Sequence, residues 1–142
     1  MPSRKVVERA EEAGREGKSP STQAGEFVRE EIHHIREGKH GARSTKQAIA
    51  IGLSKARRAG VQLPAPPASE RTREAAARDL AAGRNPRRKV SRKRSRAVSA
   101  ALKRESHSAA STTALIRQAQ SSARRRAGGR SAEARTRSNR RG

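Results

Sequence analysis

Apolar residues recur at helical spacing through the first part of this chain and thin out after Leu63. Ala24, Val28, Ile32 and Ile35 fall on one stripe, with Phe27 beside it, and predict a helix between Ser19 and Gly38. Ser19 suits its cap, Pro20 its first turn and Gly38 its stop. A polar connection, "KHGAR", follows. Ile49, Leu53 and Ala56 then form a second apolar line, widened by Ala48 and Ile51, and Gly52 permits a close approach. Ser44 and Gln47 have the spacing of a capping box at the start of this helix. Lys55, Arg57 and Arg58 suit the negative end of its dipole, and Gly60 ends it. Ahead of both, "VERAEEAGREGK" predicts a short charged helix with pairs such as Glu11 and Arg15. Its apolar content is thin, so it is marginal alone.

The later pattern is weaker. Prolines 64, 66 and 67 make "VQLPAPPAS" a hinge, since each fixes φ and removes a donor. "SERTREAAARDLAAG" predicts a solitary helix capped by Ser69, with little beyond Leu80 to bury. Residues 84–104 carry only a weak stripe of Val98, Ala101 and Leu102; "STTALIRQAQSSARRRAGG" is a further candidate helix, and the end reads as disordered. The expected fold is therefore mostly α. It comprises a short charged helix and linker (1–19), a helical hairpin core (20–62), a Pro-rich hinge (63–68) and a long basic tail, partly helical or disordered (69–142). A lone helix pair buries too little surface to be stable. A third helix, or homodimerisation through Ile32, Ile35, Ile49 and Leu53, is expected to complete it.

Charge changes this picture from fold to partner. The chain of 142 residues carries 35 Lys or Arg against 13 Asp or Glu, a formal net charge of +22. Residues 1–38 hold 7 basic and 8 acidic residues, residues 39–63 hold 6 basic and none acidic, and residues 64–142 hold 22 basic and 5 acidic. A near-neutral head and a strongly basic body suggest divided labour, with a polyanion as the partner of the body. Nucleic acid is the default polyanion, DNA ahead of RNA, because the chain has one Phe and no Trp or Tyr to stack unpaired bases. A membrane surface is disfavoured, since the basic segments lack a broad apolar face.

The absence of cysteine excludes disulfides, zinc ribbons and thiol nucleophiles. No apolar run approaches membrane-spanning length, and the N-terminus has no secretory apolar core, so a cytoplasmic protein is expected. Glu8, Glu11 and Glu12 disfavour an organellar transit peptide. The phosphate-loop, nucleophile-elbow and dinucleotide motifs are missing. The adjacent carboxylates Glu11–Glu12 and Glu30–Glu31 point apart on a helix. Neither an enzyme nor a cofactor is expected. His33, His34, His40 and His107 show no converging ligand set in sequence, so no metal is expected either.

The stretch "REGKHGARSTKQAIAIGLSKARRAG" resembles the signature of a family of small basic bacterial proteins of unknown function. The resemblance is most specific from Lys18 to Pro67 and looser through "RKRSRA" and "SSARRR". It implies a bacterial source and nucleic-acid association, because some relatives carry DNA-binding or plasmid-stabilisation labels. No catalytic residue comes with it.

The candidate contacts fall into groups. Lys39, Arg43, Lys46, Lys55, Arg57 and Arg58 surround the helix after "KHGAR". Arg87, Arg88, Lys89, Arg92, Lys93, Arg94, Arg96, Lys103 and Arg104 form a run without acid, and Arg124, Arg125 and Arg126 a second cluster. Arginine's planar fork grips phosphate oxygens in pairs. If the two main helices are a helix-turn-helix, Gln47 pairs with adenine and Lys46 or Arg43 with guanine or phosphate. If they are a plain hairpin, Ser44 and Gln47 only cap, and Lys39, His40, Arg43 and Lys46 frame a phosphate at the helix's positive end. The function expected is sequence-independent nucleic-acid binding of a nucleoid-associated or plasmid-maintenance kind. The alternatives are an RNA- or ribosome-associated protein and an adaptor for an acidic protein.

Overall fold

Serine starts most of the helices. In the computed structural model, which describes residues 2–85 and 89–141, the elements are α1 (Arg4–Arg15), α2 (Pro20–Arg36), α3 (Thr45–Arg58), α4 (Glu70–Arg84), α5 (Arg92–Lys103), a 3-10 turn (Ser108–Ala110) and α6 (Thr112–Arg141). Ser19, Ser44, Ser69, Ser91 and Ser111 each accept a backbone N–H three residues on, from Thr22, Gln47, Thr72, Arg94 and Ala114. Each bond satisfies one of the donors a helix start leaves open, worth roughly 1 kcal/mol.

α2 and α3 are the central pair. The buried line on α2 is Ala24, Phe27, Glu31 and Ile35, and on α3 it is Thr45, Ala48, Gly52 and Ala56. Small residues on α3 let the backbones close up: a Cβ on Gly52 would lie 2.7 Å from Val28 Cα. Val28, Ile32, Ile49 and Leu53, read from sequence as stripe positions, and Ile51, read as widening the second stripe, are half-buried flanks. Ile35 is wholly enclosed within this chain.

α1 is not marginal in context. Val6, Ala10 and Ala13 lie on its buried face, and Val6 and Ala10 join Ala24, Phe27, Ala56, Val61 and Leu63 in one apolar cluster. Ser3 donates to the Glu30 carboxylate through its N at 2.9 Å and its Oγ at 2.7 Å. Burial alone would raise the Glu30 carboxyl; those two bonds, with His34 and Lys55 nearby, outweigh it and hold the group below its ordinary range.

The expected fold of a helix pair with a marginal or disordered tail is corrected here. Residues after Pro67 form α4, α5 and α6 and return to the head. α4 packs on α3, where Asp79 accepts from Ser54 Oγ at 2.7 Å and Arg58 Nε at 2.8 Å. Further on, Gly41 N donates to Leu102 O at 2.9 Å and Ala42 N to Ser106 O at 3.0 Å. Thr45 Oγ1 reaches Ala109 O at 2.7 Å and Arg36 Nε reaches Ala110 O at 2.9 Å. Ala109 and Ala110 are thereby buried against Ile35, Ala42 and Ala48. The physical reason for the correction is twofold. Alanine and arginine are strong helix formers once a serine caps them, and backbone carbonyls of the tail find donors on the head. No side chain on Gly41 fits this contact, since a Cβ there would run into the Glu105 and Ser106 carbonyls. Gly41→Ala is expected to detach residues 102–111, seen as faster amide exchange there with the exchange of α2 and α3 little changed.

Candidate nucleic-acid interface

Three of the expected contacts are used within the fold. Arg57 is buried, donating from Nε to Leu63 O at 3.1 Å and from Nη2 to Pro64 O at 3.0 Å, where it fixes the chain as it leaves α3. Arg58 is engaged by Asp79. Lys55 Nζ lies 2.6 Å from Glu31 Oε2. Arg57→Met should cost about 1–3 kcal/mol in a denaturant melt, because it strips donors from two carbonyls. The affinity of the folded fraction for DNA should not change.

Around the start of α3, Lys39, Arg43 and Lys46 are exposed. Lys39 leans on Glu37 at 3.3 Å. Ser44 and Gln47 are occupied by the helix start: Ser44 Oγ accepts from Gln47 N at 3.2 Å, and Gln47 Oε1 accepts from Arg43 N at 2.6 Å. Thr45 is buried beneath the 3-10 turn. The protruding groups at this end are therefore cations.

The larger basic surface is α5 with its flanks. Lys89, Arg92, Lys93, Arg94, Arg96, Lys103 and Arg104 are exposed, no residue of α5 is buried, and among the described residues α5 packs against no other helix. Among the described residues none of these cations has a carboxylate partner. Arg92, Lys93 and Arg94 occupy the first turn, where the helix dipole is already positive. That placement opposes the isolated helix and favours an anion at its start. On α6, Arg124, Arg125 and Arg126 are exposed, on a helix of 30 residues, about 45 Å at 1.5 Å per residue. Arg87 and Arg88 lie outside the described residues.

A second constellation was not visible in the sequence. Glu31, 1% exposed, sits on α2 between Phe27 and Ile35, where the apolar pattern calls for a hydrophobe. One oxygen meets Lys55; the other faces His40 Nε2 at 2.7 Å. His34 stands beside them, its ring edge-on to His40 with centroids 6.3 Å apart. Burial pushes the His34 imidazole below its ordinary pKa, against the pull of Glu30 and Glu31. His33, by contrast, is exposed and meets Glu37 at 2.8 Å.

Residues 17–66 match the model of a family of unknown function, DUF6496. The matched segment holds α2, α3 and the Glu31, His34, His40 and Lys55 cluster; α5 and α6 lie beyond it. No curated protein and no solved structure matches the chain. No helix among the described residues is long and apolar enough to cross a membrane.

Proposed function

We propose that this protein binds nucleic acid through phosphate contacts without reading sequence, favouring duplex DNA. The observation that carries the reading is α5: a helix with no buried face, no acidic partner among the described residues and cations crowded at its positive end. Such an arrangement has little to gain in water and much to gain on a polyanion, where phosphates replace the missing counter-charges. The head serves as a mount, tying the far end of α5 down through Leu102 and Ser106. Arg43 and Lys46 add a second phosphate contact at the start of α3.

The occupied Ser44 and Gln47 side chains support backbone contact over base reading at that helix. The labels of the resembling bacterial family point the same way, and the nucleoid is the proposed place of action. A competition experiment tests the polymer. Labelled duplex DNA on the full-length protein is challenged with unlabelled duplex, single-stranded DNA, structured RNA and an acidic protein at equal charge. Duplex DNA is expected to compete best. Preferential displacement by RNA would support the ribosome-associated reading, and displacement by the acidic protein alone would support an adaptor.

A further inference from the structure

The buried carboxylate of Glu31 is incompletely satisfied. His40 Nδ1 lies 2.8 Å from the carbonyl oxygen of Gly41. A carbonyl only accepts, so this bond places the ring proton on Nδ1. Nε2 of the same ring lies 2.7 Å from Glu31 Oε1. Oε1 is a buried oxygen without a hydrogen-bond partner. A buried carboxylate oxygen left without a donor is costly unless something positive meets it.

His34 completes the set. One donor atom each from Glu31, His34 and His40 lies within 4.8 Å of the others. We infer that Glu31, His34 and His40 form a site for a divalent transition-metal ion of the zinc class. Two imidazoles and one carboxylate are a common donor set for such ions, and leave a fourth position for water. Metal–ligand bonds of about 2.0–2.2 Å ask the three donors to rearrange around one point, by roughly an ångström of side-chain movement. The surroundings favour that ligation. Lys55 takes the other Glu31 oxygen, leaving Oε1 as a single-oxygen donor, and Gly41 O holds the His40 tautomer with Nε2 free for metal. Neighbouring Glu30 is engaged by Ser3, with its Oε1 3.6 Å from His34 Nε2.

The site joins α2 to the 39–43 loop. That loop also receives Leu102 O and Ser106 O, so a bound ion would stiffen the attachment of α5 to the head. The inference is independent of nucleic-acid binding, and its test has no nucleic-acid readout.

The full-length protein, stripped with chelator, is titrated with Co²⁺ as a spectroscopic probe and with Zn²⁺ by calorimetry, with thermal melts in parallel. One equivalent should bind, with the visible bands of a four- or five-coordinate Co²⁺ centre, and Zn²⁺ should raise Tm by several degrees through linkage. His40→Asn and His34→Asn should each weaken binding at least about tenfold. The paired variant His33→Asn with His107→Asn should leave binding intact. Circular dichroism of each variant shows whether it has folded. If His34→Asn or His40→Asn does not fold, the Co²⁺ spectrum of the unsubstituted protein still decides, since surface sites give weak octahedral bands. No binding, binding that vanishes only with His33 and His107, or a His40 Nε2–H resonance that persists in excess Zn²⁺ would overturn the inference.

Discussion

Gly52→Val is expected to unfold the head. The added Cβ would lie 2.7 Å from Val28 Cα and 3.0 Å from Val28 N, and backbone cannot turn aside as a side chain can. α2 and α3 would have to separate along the whole line that joins Ala24, Phe27 and Ile35 to Ala48 and Ala56. Overpacking of this kind costs about 1–3 kcal/mol and more where backbone must move. A core built largely of alanine has little stability in reserve. Glycine inside a helix itself costs about 1 kcal/mol relative to alanine, so its use here marks the close approach. Helicity by circular dichroism should fall and the cooperative melt should broaden or vanish. Gly52→Ala should lose less. A Gly52→Ala protein more stable than the original would show that the two helices do not cross at this residue.

Neutralising α5 should have the largest effect on binding. Replacing Arg92, Lys93, Arg94, Arg96, Lys103 and Arg104 by Gln removes cations that are exposed and contribute nothing to the buried core. The head should fold as before, with an unchanged Tm. If these side chains neutralise about six phosphates, affinity at about 0.1 M salt should drop by at least 10³-fold. Exchanging the same six among Lys and Arg preserves charge and should cost far less, although Arg to Lys forfeits the paired contact. An equal loss from neutralising Arg43 and Lys46 alone would move the interface to the start of α3.

The local grammar of the head was legible in its residues. Ser44 with Gln47 announces the start of α3, and Gly38 and Gly60, at φ 78° and 104°, stand where the helices stop. What those residues do not announce is how the faces turn. A reading by hydrophobicity centres α2 on Val28 and Ile32, because it cannot credit a glutamate with burial. The true line runs through Glu31, and only the fold brings Lys55 and His40 to it. Arg57 misleads in the same way: an arginine in the last turn suggests an outward charge, yet it bends back to cap the carbonyls of Leu63 and Pro64. In the later chain, Ser91 and Ser111 were available as cap signals but lay within an arginine- and alanine-rich composition that suggests disorder. Nothing in "SHSAAST" marks Ala109 and Ala110 for burial; their place is set by Thr45 and Arg36, more than sixty residues earlier.

The salt dependence of duplex binding tests the central claim most directly. With about 8 to 10 phosphates neutralised, log affinity should fall against log salt with a slope of about −7 to −9 between roughly 50 and 200 mM. The slope should be the same for duplexes of unrelated sequence. A shallow slope, or tight binding confined to one sequence, would contradict phosphate-driven binding by the exposed basic helices.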